Sequence, residues 1–118
     1  MIAAVPTQLL MDSMATRFDP ARLNRPDLAF NIELTDRKEV IGIEAGRTVL
    51  LGRVGQPVAR PAVVIRGPRQ LVLALLFLKM PAAQLQASGL QIEGDATAIK
   101  ALQDSLDPLP EGFNIAEP

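Results

Sequence analysis

Between residues 28 and 35 apolar and smaller or polar positions alternate: Leu28, Phe30, Ile32 and Leu34 against Ala29, Asn31, Glu33 and Thr35. A period of two with one mostly polar side marks a strand buried on one face. Asp36-Arg37-Lys38 turns the chain into a second strand over residues 39–44, with Ile41 and Ile43 on one face. Ala45-Gly46 turns it again into a third over residues 48–51, and three strands at this spacing predict an antiparallel meander. Gly52, Gly55 and Pro57 mark a loop, residues 62–66 a fourth strand and residues 90–93 a brief fifth.

Helical spacing occupies the rest. Leu10, Met14 and Phe18 recur at i, i+4 and i+8, with Leu9 and Met11 beside them and Pro6 in the first turn. Asp19-Pro20 caps a short turn through Leu23. Residues 71–78 are hydrophobic all round, so a helix there must be covered on more than one side. Leu73, Leu76, Phe77 and Met80 form one of its stripes. Pro81 restarts a short helix closed by Ser88-Gly89. Gly94-Asp95 caps a last helix bearing Ile99, Leu102 and Leu106, which Asp107-Pro108 and Pro110 stop. This order predicts an α+β fold, a five-stranded, mostly antiparallel sheet with helices packed on one face. One domain over residues 1–118 is expected, with 1–4 as a leader and 107–118 as a C-terminal tail whose Phe113 and Ile115 dock on the body.

Composition changes the picture mainly by what is missing. The chain has no histidine and no cysteine, which removes thiol nucleophiles, Ser-His-Asp triads, disulfides and Cys/His zinc sites together. Its acids are scattered, without the clustering that a carboxylate metal site needs. No catalytic residue, no metal and no cofactor are therefore expected of this chain alone. Seventeen leucines and four methionines, with no tyrosine or tryptophan, predict an aliphatic and pliable core. The longest apolar run, residues 71–78, is far short of the ~20 residues that span a bilayer. The N-terminus lacks a signal-peptide pattern, so a free-standing chain is expected in the cytoplasm.

A formal net charge of −1 hides an asymmetry. Residues 46–91 hold no acid but carry Arg47, Arg53, Arg60, Arg66, Arg69 and Lys79. Such a stretch places a positive field over part of the surface, or else scatters solvated arginines around turns and strand edges. Nucleic acid is a poor fit, because aromatic residues for stacking are nearly absent.

Several stretches together resemble a known family. They are Val5-Pro-Thr-Gln-Leu-Leu-Met-Asp12 with Ala15-Thr-Arg-Phe18, Leu28-Ala-Phe-Asn-Ile-Glu-Leu-Thr-Asp36, and the helix from Gly67-Pro-Arg-Gln-Leu71 to Leu78-Lys79. The most distinctive are Gly89-Leu-Gln-Ile-Glu-Gly-Asp95 and the ending Phe113-Asn-Ile-Ala-Glu-Pro118. In this order they resemble the C-terminal domain of bacterial alkyl sulfatases, a branch of the sterol-carrier-protein-2 superfamily. The resemblance implies a five-stranded sheet with helices enclosing an apolar tunnel. It also implies that hydrolysis belongs to a separate zinc domain, while this domain helps to recruit the alkyl tail of the substrate.

The expected activity is thus non-catalytic binding of an alkyl or fatty-acyl chain, with or without an anionic head, as a lipid carrier or a recruiting module. The expected walls are Met14, Phe18, Phe30, Ile32, Leu73, Leu76, Phe77 and Met80, with Arg47 or Arg53 at the head group. The expected partners are an apolar small molecule and a catalytic domain. The alternative is a protein–protein interaction or homodimerisation domain with a filled core, in which a partner buries the second face of helix 71–78.

Overall fold

A computed structural model describes residues 6–23, 28–46 and 48–107. In chain order the elements are helix α1 (Thr7–Thr16), the single turn α2 (Pro20–Leu23), and strands β1 (Leu28–Leu34), β2 (Glu39–Ala45), β3 (Leu50–Val54) and β4 (Val63–Gly67). Helices α3 (Arg69–Leu76) and α4 (Ala82–Ala87), strand β5 (Gln91–Gly94) and helix α5 (Ala96–Ser105) follow. The tail with Phe113 and Ile115 lies outside the described residues, as do residues 1–5.

The strands form one sheet in the order β3-β2-β1-β4-β5. The β1–β2, β2–β3 and β4–β5 pairings are antiparallel, as the predicted meander requires. The β1–β4 pairing is parallel, so the sheet is mixed while remaining mostly antiparallel. Alternation fixes the two faces. Leu28, Phe30, Ile32 and Leu34 are all buried, with Phe30 opposite Ile43 and Val63 and Ile32 opposite Ile41 and Ile65. These side chains join Leu10, Met14, Val72, Leu75, Ile99 and Leu102 of the helices in one hydrophobic core.

The parallel pairing forces residues 55–62 across the outer face of the sheet, because β3 is an edge and β4 lies beyond β1. Asn31 holds this crossover: its Nδ2 donates to the Val58 carbonyl at 2.9 Å and its Oδ1 accepts from the Val58 N–H at 2.7 Å. Gly42 lies directly beneath it, where a Cβ would stand 2.1 Å from the Gln56 carbonyl oxygen.

Three sequence expectations shift. The third strand spans Leu50–Val54 rather than 48–51, with Gly52 inside it. Met11 of α1 packs so closely there that a Cβ on residue 52 would come within 2.9 Å of it, so the strand continues through a glycine that reads as a loop residue. The apolar helix opens at Arg69, directly after Gly67-Pro68, where the Asp36 carboxylate accepts the Arg69 N–H at 2.9 Å and satisfies a first-turn donor, but it ends at Leu76, two residues before the apolar run does. Leu9 is not on the buried face of α1 but 57 % exposed.

Two side chains that no periodicity singles out secure the packing. In the β2–β3 ladder, Gly55 N–H donates to the Val40 carbonyl and Gly46 N–H to the Val49 carbonyl, so alternate residues of β3 turn their peptide groups outward. Gln8 of α1 meets two of those outward groups, donating to the Gly52 carbonyl at 2.7 Å and accepting from Val54 N–H at 3.0 Å. It stands where a neighbouring strand would pair and blunts the edge. Gln103 of α5 is buried and donates through Nε2 to the carbonyls of Leu75 at 3.0 Å and Met80 at 2.9 Å. It thereby satisfies carbonyls at the end of α3 and fixes the joint between α3 and α4.

Candidate functional site

The structure brings all eight expected wall residues to the helix side of the sheet. Met14, Phe30, Ile32, Leu73, Leu76 and Phe77 are between 0 and 5 % exposed within one core. Phe18 and Met80 are half-buried and pack against that core, so they form its rim.

The rim lies where chain ends meet. Beyond α1, Phe18 bridges Leu106 in antiparallel fashion, Asp19 N–H donates to the Ser105 carbonyl and Asp107 N–H to the Arg17 carbonyl. At the end of α3, Phe77 closes the helix and Lys79 adopts φ +54, a left-handed conformation uncommon outside glycine. Met80 and Pro81 then lead into α4, whose only buried side chain is Leu85. A six-residue helix with one fully buried side chain and Ala82 packed beside it is a light cover over this part of the core.

Helix α3 needs no second chain to cover it. Residues Val72, Leu73, Ala74, Leu75, Leu76 and Phe77 are all buried within the single chain, and only Leu78 beyond them is well exposed, at 47 %.

The head-group candidates fare differently. Arg47 lies outside the described residues. Arg53 is exposed on β3 beside Leu51, opposite in parity to the inward-facing Leu50 and Gly52, and so on the other side of the sheet from the apolar cluster. There it lines a trough of about 510 Å³ with Arg60, Glu44 and the 56–59 loop. A second depression of about 320 Å³ shares Ala29, Glu44 and Leu51 with it and adds Thr48 and Val49. Among the described residues, the cations of the acid-free stretch differ in setting. Arg66 pairs with Glu33 at 3.1 Å and Glu93 at 2.8 Å on the outer face, and those contacts raise its pKa. Arg69 is buried, which lowers its pKa, with Arg37 opposing and Glu39 and Asp36 supporting its charge.

The cation that does sit at the apolar rim is Arg17, which the sequence reading passed over. Its guanidinium lies 4.7 Å from the centroid of the Phe77 ring, and Nη1 donates to the Asp107 carbonyl at 3.0 Å. Burial lowers its pKa, and the charge of Asp107 opposes that shift. The available signal was its position, three residues after Met14 and next to Phe18 on the same helix end.

Among the described residues no group of three His, Cys, Asp or Glu side chains could hold a metal ion. No helix among them is long and apolar enough to cross a membrane.

The fold is shared with solved structures. The sec-alkylsulfatase Pisa1 from Pseudomonas sp., described as stereoselective and inverting, superposes with a TM-score of 0.82 at 22 % identity. The match covers 99 % of this chain but 19 % of Pisa1, so the chain spans about a fifth of that enzyme. UbiJ-SCP2, a ubiquinone synthesis protein, superposes with a TM-score of 0.63 at 11 % identity, covering 82 % of this chain and 86 % of its own. At these identities the likeness establishes the fold, which is that of sterol carrier protein 2. No curated protein matches the chain in sequence. The family model described as alkyl sulfatase C-terminal matches residues 1–118, and the chain belongs to that family.

Proposed function

We propose that this domain binds an alkyl or fatty-acyl chain between the sheet and the helices without itself catalysing a reaction, as a carrier or as the module that recruits substrate for an alkyl sulfatase. The observation that carries this reading is the rim. Phe18 and Met80 are half-buried against a predominantly apolar core, Met80 following the left-handed backbone at Lys79 and leading into α4, which buries Leu85 and packs Ala82 beside it. Entry of a chain requires Met80 and α4 to swing outward, and methionine and leucine side chains can repack around a guest.

Burial of about twelve methylenes yields ~10 kcal/mol gross at ~0.8 kcal/mol each. Association costs on the order of 4–15 kcal/mol, and opening the core adds to that, so micromolar or weaker binding is expected. Displacement of a fluorescent fatty acid by dodecanoate tests the reading. Saturable displacement in the micromolar range supports it, and none up to millimolar ligand would sink it.

A second reading rests on the outer face. Val49 and Leu51 are 47 % and 44 % exposed beside the two connected depressions, which suits association with another protein surface such as a catalytic domain. Dimerisation through α3 would appear in light scattering as a concentration-dependent mass that Leu78→Ala abolishes.

A further inference from the structure

We propose that Arg17 is the head-group site of this domain and that the bound chain ends in an oxyanion, a carboxylate or a sulfate, held side-on by Nε and Nη2. The inference rests on the chain-binding reading above and assigns its polar end. Nε and Nη2 of Arg17 are buried and meet no hydrogen-bond acceptor among the described residues. These two donors form one edge of the planar guanidinium, the edge that matches two oxygens of a carboxylate or sulfate in a bidentate fork. The rest of the group is already fixed: Nη1 is bound to the Asp107 carbonyl and the plane lies over Phe77. A guanidinium oriented on one side by protein and set over a ring has lost much of its rotational freedom before any ligand arrives.

The charge balance points the same way. Asp107 is the acid that acts on Arg17, and its carboxylate is bound by Arg22, which Asp19 also pairs at 3.0 Å. Arg17 is therefore a half-buried cation whose neighbouring acid is engaged elsewhere, and an incoming anion would supply the missing partner. Its location suits the alkyl tail as well. Arg17 lies one turn beyond Met14 and over Phe77, so a chain anchored there extends directly into the cluster of Met14, Phe77 and Met80. Arg53 is on the opposite face of the sheet and cannot serve that end.

The test compares dodecanoate, dodecyl sulfate and 1-dodecanol, each below its micellar concentration, in displacing a fluorescent fatty acid from the wild-type chain, Arg17→Gln and Arg53→Gln. At least one anion should bind the wild type about tenfold or more tightly than the alcohol, since hydrogen bonds to charged groups are the stronger class. The anion that shows the preference identifies the head group. Arg17→Gln should bring that anion within about threefold of the alcohol and leave the alcohol unchanged, while Arg53→Gln should keep the full preference. Equal binding of all three ligands by the wild type, or a preference that survives Arg17→Gln, overturns the Arg17 assignment and leaves chain binding standing. Failure of all three to bind overturns both. If Arg17→Gln does not fold, the wild-type protein still decides: the Arg17 Nε–H resonance should move downfield with the preferred anion and not with 1-dodecanol, and an unmoved resonance refutes the site.

Discussion

Replacing Gln103 by leucine should destabilise this domain by about 2–3 kcal/mol, although the two side chains are of similar size and the site is apolar. Gln103 is 6 % exposed, and its Nε2 serves the carbonyls of both Leu75 and Met80. Each hydrogen bond is worth about 1 kcal/mol net, and a buried carbonyl left without a donor costs about 1–3 kcal/mol. Leucine recovers part of this through the apolar surface it buries, at roughly 25 cal/mol per Å². With about 2.1 cal/mol/K of unfolding entropy per residue, 118 residues give about 0.25 kcal/mol per kelvin, so the expected fall in Tm is about 8–12 °C. Urea denaturation followed by far-UV circular dichroism measures the change, and the m-value should stay constant if only the folded state is affected. The same substitution frees Met80 and the α3–α4 joint, so fatty-acid uptake should become faster even as the fold weakens. A loss below about 0.5 kcal/mol would refute the reasoning, because it would mean that neither carbonyl depends on this side chain.

Two further substitutions test the packing. Gln8→Ala exposes the outward peptide groups of Gly52 and Val54 on edge strand β3, so sedimentation should show more concentration-dependent self-association than in the wild type. An unchanged monomer fraction would show that Gln8 does not guard the edge. Gly42→Ala forces a Cβ against the Gln56 carbonyl and must displace the crossover that Asn31 holds, lowering stability by about 2 kcal/mol or more, and an unaltered Tm would contradict the close approach described here.

The central strand and the last helix were legible in the sequence for simple physical reasons. Leu28 to Leu34 alternate without a break, and that alternation is the burial pattern of β1. Asp95 has a capping side chain, and its carboxylate accepts the Thr97 N–H at 2.9 Å at the start of α5. The third strand was misplaced because Gly52 carries no side chain and thus no hydropathy signal, while its burial comes from Met11, which lies 41 positions earlier in sequence. The same shift bears on Arg53. In a loop its direction is open, but in a strand reaching Val54 its parity turns it away from the core. The parallel β1–β4 pairing depends on a crossover with no periodicity of its own. The need to cover α3 was evident from residues 71–78, yet the cover comes from long-range packing, including a glutamine that hydropathy would assign to the surface. Arg17 reads as an ordinary charge at a helix end until Phe77 and Asp107, 60 and 90 positions away, are folded against it.

The central claim is that an alkyl chain enters between sheet and helices at the Phe18–Met80 rim. Methyl-resolved NMR of the isotope-labelled protein, titrated with dodecanoate below its micellar concentration, tests it most directly. The largest shifts are expected at the methyls of Met14, Ile32, Leu73, Leu76 and Met80, with Val49 and Leu51 on the outer face unmoved. Shifts confined to Val49 and Leu51, or none at saturating ligand, would contradict it.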